Sequence, residues 1–176
     1  MKSKLISISA ISAGFIAIIL LIGAYFEIAD VFTIVISSVF VTLPLYYKSF
    51  KASVLAYLAG GVIAFLCSGF NILSLVFPAY FTFFGIYPII KFLIESKGKK
   101  YAGFIIGFIW CVLTFFGLYY YYTFVMLRVE EGLPQWIIDY IEIFIALISV
   151  VFFIIYDKFL SVTRRVANYY LVKIIK

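Results

Sequence analysis

The sequence predicts an all-α membrane protein: a bundle of six transmembrane helices with both termini cytoplasmic and a C-terminal interfacial amphipathic helix. Three observations carry this. Thirteen of the 14 Lys and Arg residues fall in every second gap between long apolar runs, and the intervening gaps hold only Arg128. Basic residues collect on the cytoplasmic side of a membrane, and a charge at the bilayer centre costs roughly 2.5–3.5 kcal/mol, so the alternation sets the topology. Charged residues make up 12% of the chain against about 25% in soluble domains. With a mean hydropathy of +1.20, the chain exceeds what a soluble core needs.

A helix rises about 1.5 Å per residue, so crossing roughly 30 Å of hydrocarbon takes about 20 apolar residues. Six runs answer to this: 5–26, 31–47, 52–68, 72–93, 101–126 and 136–156. Lys2 and Lys4 before the first run also fit a secretory signal. The run exceeds the usual signal core of about 7–15 residues, and no small-x-small cleavage site precedes Glu27, so a retained first span is expected. The second run is short and holds Pro44 near its inner end, but the charges flanking it require it to cross. Lys48 and Lys51 separate spans two and three; Lys91, Lys97, Lys99 and Lys100 close span four. Within span four, Pro78 and Pro88 each remove an amide donor, which predicts a bend or a locally open backbone. Such breaks line cavities in some transporters.

Residues 1–157 are therefore expected to form the transmembrane domain and 158–176 a basic cytoplasmic tail. On a helix, Phe159, Val162, Val166, Tyr169, Tyr170 and Ile174 fall on one side of that tail, with Ser161, Arg164, Arg165 and Asn168 opposite. That pattern suits a helix lying in the inner interface. The net charge is +6 and the basic residues, Arg128 apart, lie toward one membrane face, so the expected partner is the anionic inner leaflet of the bilayer, and no nucleic acid is expected. The expected location is the cell membrane, as a multi-pass protein.

Small residues mark where helices approach closely, because in lipid the packing itself must supply the attraction. Span three carries Ala52, Ala56, Gly60, Ala64 and Ser68 at intervals of four, span one carries Ser9, Ala13 and Ala17, and span five carries Gly103 and Gly107. Internal packing is the expectation for spans three and five. The row in span one is a candidate partner-binding face.

The outer gaps hold Glu27, Asp30, Glu130 and Glu131, with Asp139 and Glu142 just inside span six. Asp139 and Glu142, three residues apart, are expected to share one helix face near its N-terminus, where carboxylates are favoured. Tyr119 to Tyr122 point in all directions around the outer end of span five, some as an interfacial belt and some inward; Trp136 also suits the belt. The candidate substrate-binding residues are Asp139, Glu142, Tyr119, Tyr122, Trp136 and Asn71. If they converge, they favour a cationic or hydrogen-bonding aromatic ligand.

No catalytic site is expected, and no cofactor. The sequence holds no His, which removes the common general base and most metal sites. Cys67 and Cys111 lie in different spans, so neither a disulfide framework nor a thiolate metal site is suggested. Glu130 and Glu131 echo the paired glutamates of membrane prenyl-protein proteases, but Gln135 stands where that motif has Arg and no histidine motif follows.

Six spans in under 200 residues, a basic inner face and the sequence Ala13-Gly14-Phe15-Ile16-Ala17, preceded by Ser9 at the same interval, resemble the substrate-binding S components of energy-coupling factor transporters. The gap between spans one and two is about 27–30, where members of that family often carry a longer loop. The resemblance implies capture of a vitamin-like small-molecule substrate near the outer face. It also implies that the first helix docks on a transmembrane coupling subunit driven by two cytoplasmic ATPases, and that the subunit reorients to release its ligand inward. The absence of a GxxxxGK[ST] phosphate loop fits a subunit that does not hydrolyse ATP itself. Two alternatives stay open: a non-catalytic membrane assembly or regulatory protein that binds a partner helix, and, ranked last, a membrane enzyme acting on lipids.

Overall fold

A computed structural model describes residues 2–126 and 134–175, and no strand occurs among them. Arg128, Glu130 and Glu131 lie outside the described residues. Five helices are long and apolar enough to cross a membrane, Ser3–Tyr25, Phe50–Cys67, Val76–Ser96, Tyr101–Val125 and Ile141–Tyr169, and Asp30–Tyr46 is a shorter apolar helix. This is the make-up of a multi-pass membrane protein. In chain order the elements are α1 (Lys2–Tyr25), a 3-10 turn (Glu27–Ala29), α2 (Asp30–Tyr46), α3 (Phe50–Cys67), α4 (Val76–Ala79), a π-helical turn (Tyr80–Phe84), α5 (Tyr87–Ser96), α6 (Lys100–Met126), α7 (Gln135–Asp139) and α8 (Ile141–Ile175). Helix α1 packs on α2 and α3; α2 also meets α5 and α8, and α6 lies against α5 and α8. Outward-facing Ile11, Phe15, Ile18, Leu113, Ile148 and Ile155 are exposed, as lipid-facing residues are in a bundle whose solvent is hydrocarbon.

The small-residue row of span three turns inward: Ala56, Gly60 and Ala64 are buried. A methyl group at Gly60 would stand 2.7 Å from the Ile16 side chain and 2.9 Å from the Ala13 carbonyl oxygen, so α3 touches the backbone of α1. Ser9, Ala13 and Ala17 form the other half of this contact. They are 2%, 6% and 5% exposed, and the Ser9 hydroxyl donates to the Ala52 carbonyl at 2.8 Å. The span-one row, expected to receive a partner, is occupied by the chain's own third helix. A small-xxx-small interval reports close approach but not whose helix approaches.

The break expected between Pro78 and Pro88 is present as the π-helical turn. Pro88 has no proton for the Phe84 carbonyl, and the Tyr156 hydroxyl lies 3.5 Å from that oxygen as its donor. Within the turn the Gly85 amide bonds to the Tyr80 carbonyl at 2.9 Å. That releases the Phe81 carbonyl, which accepts from the Tyr57 hydroxyl at 2.9 Å. Side chains of α3 and α8 thus complete the backbone of span four, as apolar surroundings require.

At the far end of α3 the Gly69 amide bonds to the Leu66 carbonyl and the Phe70 amide to the Phe65 carbonyl, both at 3.1 Å. Gly69 has φ +71, and the Phe70 ring packs edge-on to Phe65; this is a Schellman ending with its hydrophobic contact. Helix α2 ends the same way, with the Lys48 amide on the Leu45 carbonyl and the Ser49 amide on the Pro44 carbonyl, but there Lys48 takes the left-handed position at φ 57. A side chain in that region costs roughly 1–2 kcal/mol. Lys48→Gly is therefore expected to raise stability by about 0.5–1 kcal/mol, read as a higher unfolding midpoint in detergent.

Two expectations for the last span need correction. Tyr140 leaves helical geometry at φ −118, ψ 17, so Asp139 ends α7 while Glu142 opens α8, and the two carboxylates do not share a helix face. The residues after Tyr156 form no separate helix: α8 continues unbroken for 35 residues, about 52 Å. This exceeds a hydrocarbon core of about 30 Å. No break falls at 157–158, where the tail was expected to begin.

Candidate functional site

The alternating helix directions gather two sets of residues at opposite ends of the bundle. One end holds the start of α2, the Ser68–Leu75 connection, the end of α6 and the start of α8. The other holds Lys4 over the Tyr47 ring and Arg164 over the Phe92 ring. We refer to these as the acidic and basic ends.

At the acidic end, a cavity of about 520 Å³ lies between α2, α4, the π-helical turn, α6 and α8. Its walls are apolar and aromatic, with Ile34, Phe84, Phe115, Tyr119 and Phe152 among them. Beside it, a cavity of about 350 Å³ is lined by Asn71, Ser74 and other residues of the α3–α4 connection. Asp30, Leu75 and Tyr122 border both, so the two adjoin, an apolar chamber with a more polar mouth beside it. Asp30 stands in the first turn of α2, where the helix dipole favours a carboxylate. Combined dimensions of this order match those of small-molecule sites, which are mostly apolar with a few placed polar groups.

Of the sequence candidates, the structure brings Tyr119, Tyr122 and Asn71 to this site. It leaves three aside. Trp136 is 59% exposed and packs on Phe144; the exposed Asp139 carboxylate accepts from Gln135 at 3.4 Å. Glu142 accepts from the Tyr120 hydroxyl at 3.0 Å, on the surface. Sequence reasoning placed Asp30 at the acidic mouth but not in the site, although its position opposite the ends of spans three and five was a usable signal. The apolar walls Phe84, Phe115 and Phe152 carried no signal, because any inward aromatic looks the same.

A second cluster of functional character lies at the basic end. Lys91, counted among the charges that close span four, is 6% exposed. Its ammonium group donates to Asp157 Oδ1 at 2.5 Å, to the Asp157 carbonyl at 2.8 Å and to Ser161 Oγ at 2.8 Å, which uses all three of its protons. The Tyr87 hydroxyl donates to the same carboxylate oxygen. Glu95 lies 3.8 Å from Lys91 and pairs with Arg164. The network joins α5 to α8 across a sequence separation of 66 residues. In the sequence, Lys91 and Asp157 stand near the ends of two apolar runs and are opposite in charge.

No group of three or more His, Cys, Asp or Glu residues suited to a metal ion occurs among the described residues. No family model matches the chain, and no curated protein or solved structure matches it.

Proposed function

We propose that the chain is the substrate-capturing membrane subunit of a small-molecule uptake system, of the energy-coupling factor type that its sequence resembles, with the acidic end outward and both termini inside. The observation that carries this reading is the aromatic chamber with Asp30, Asn71 and Tyr122 at its mouth. Its chemistry suits a flat, mainly apolar ligand with a cationic or hydrogen-bond-donating group: rings stack on Phe115, Tyr119 and Phe152, and the polar group meets the Asp30 carboxylate. A vitamin-like micronutrient has that character. The protein acts by binding, not by chemistry.

Coupling to a separate ATP-driven module then uses a face other than Ser9, Ala13 and Ala17, which are filled by α3. Elsewhere on α1, Gly14 is exposed and a side chain built there meets nothing within 4 Å. Co-purification of a coupling subunit and ATPases from the native host supports the uptake reading; their absence with a ligand still bound leaves capture without that coupling.

The test of capture is native mass spectrometry of the purified chain, followed by thermal-shift titration with aromatic cations headed by benzyltrimethylammonium. Asp30→Asn is expected to weaken binding at least about tenfold, the loss of one charge-assisted contact, and Phe115→Ala by a similar factor. Asp139→Asn and Glu142→Gln, which stand off the cavity, are expected to leave it unchanged. Equal binding by Asp30→Asn and native protein overturns the reading.

A further inference from the structure

Two cavities lie along one seam between α6 and α8, one toward each end of the bundle. The chamber at the acidic end reaches down to Phe115 and Phe152. At the basic end a cavity of about 380 Å³ is lined by Glu95, Tyr101, Phe104 and Asp157. Along α6, Phe115 and Phe104 are about 16 Å apart, and along α8, Phe152 and Asp157 are about 7.5 Å apart. The material between them is a layer of rings, and the charge cluster borders the basic-end cavity. Phe84 meets Phe152 at 5.7 Å and Tyr156 at 5.1 Å, and Tyr87 stacks on Phe83 at 5.0 Å and meets Phe153 at 5.7 Å. One turn beyond Tyr87, Lys91 holds Asp157.

We propose that this seam is a passage through the chain itself, with the aromatic layer and the Lys91–Asp157–Glu95–Arg164 cluster as its gate at the basic end. The inference rests on the capture reading for the identity of the cargo, and it departs from the reorientation implied by the sequence resemblance: the ligand leaves through the seam and the subunit need not tip. Both cavities carry a carboxylate, Asp30 at one end and Asp157 with Glu95 at the other, so both suit the same cationic or hydrogen-bond-donating cargo. A buried ion pair is a costly way to join two helices, and ionisable side chains in membrane helices mark ligand pathways. Here the pair's Asp157 lines the basic-end cavity, where breaking the pair leaves its carboxylate free to meet the cargo.

The moving part is the segment between Pro78 and Pro88. It carries Phe83 and Phe84 of the plug and leads directly into Tyr87 and Lys91. Its Phe81 and Phe84 carbonyls are held by tyrosine hydroxyls from α3 and α8, contacts that a shift of the segment can exchange without unwinding a regular helix. Broken helices serve this role in transporters with sites near the bilayer midplane.

Cys111 reports on the passage. It is fully buried, on α6 one turn beyond Phe115 and two turns before Phe104, with its thiol against the Ser149 carbonyl. In a Cys67→Ser background, inverted and right-side-out membrane vesicles are treated with the impermeant cation 2-(trimethylammonium)ethyl methanethiosulfonate, and labelling of Cys111 is followed by mass spectrometry. Asp157→Asn is expected to raise the labelling rate from the basic end at least about tenfold, with no change from the acidic end. Glu95→Gln, which loosens the partly exposed rim of the cluster and leaves Lys91–Asp157 in place, is expected to raise it about threefold and serves if Asp157→Asn folds poorly. A folded variant of either kind whose basic-end rate equals the background overturns the proposal, as does an equal rise from both ends, which would mean general loosening. No ligand is used, so failure of Asp30→Asn to weaken binding leaves this result intact, and an unmoved Cys111 rate leaves capture intact.

Discussion

Asp157→Leu alone is expected to lower the free energy of unfolding by about 3 kcal/mol, whereas Lys91→Met combined with Asp157→Leu is expected to recover most of that loss. Removing one member of a buried pair strands the other charge, which typically costs about 3–5 kcal/mol. The lower figure applies because Lys91 keeps the Asp157 backbone carbonyl and Ser161 Oγ as acceptors, with the Glu95 carboxylate 3.8 Å away. The double change removes the stranded ammonium and fills the space with side chains of similar length. Unfolding from mixed micelles, followed by tryptophan fluorescence, gives both values. If the double variant were no better than Asp157→Leu, the instability would lie in lost packing around Tyr87 and not in the uncompensated lysine.

The same pair shows where the sequence ceases to be readable. Lys91 lies close to the cluster Lys97, Lys99 and Lys100, so a rule that collects charges between spans assigns it to the gap. Its partner is in the last helix, and nothing local states that the two meet. Features decided by local covalent chemistry were legible: Pro78 and Pro88 lack amide protons, and the backbone opens between them as the π-helical turn. The inward face of span three was legible for a related reason, since Ala56, Gly60 and Ala64 leave no bulk between backbones. Features decided by choice among partners were not. Ala13 and Ala17 announce a close contact but do not say whether α3 or another protein makes it, and Asp139 and Glu142 have the spacing of one helix face although Tyr140 interrupts the helix with no Pro or Gly to mark it. The chamber was half legible: polar Tyr122 and Asn71 drew notice, while Phe115 and Phe152 were hidden among 21 phenylalanines.

Gly60→Leu is expected to destabilise the chain by about 3 kcal/mol or to prevent its accumulation in the membrane, because the first carbon of the new side chain would already stand 2.9 Å from the Ala13 carbonyl oxygen and 2.7 Å from Ile16. A backbone carbonyl in the middle of α1 cannot give way as a flexible side chain can, so α1 and α3 must part, and overpacking at a well-fitted contact costs about 1–3 kcal/mol, occasionally more. Ala13→Leu inserts bulk into the same contact from the other side, and an effect of about 2 kcal/mol is expected. Gly14→Leu is the control, since its position is open and a longer side chain there enters lipid; no loss of stability is expected. The three variants separate two meanings of one motif. Loss of folding at Gly60 and Ala13 with a stable Gly14 variant assigns the Ala13/Ala17 row to the chain's own core, and a Gly14 variant that folds yet no longer retains a coupling subunit assigns docking to the exposed surface around Gly14. A stable Ala13→Leu protein that has lost only its coupling subunit would return the docking surface to the row that the sequence suggested.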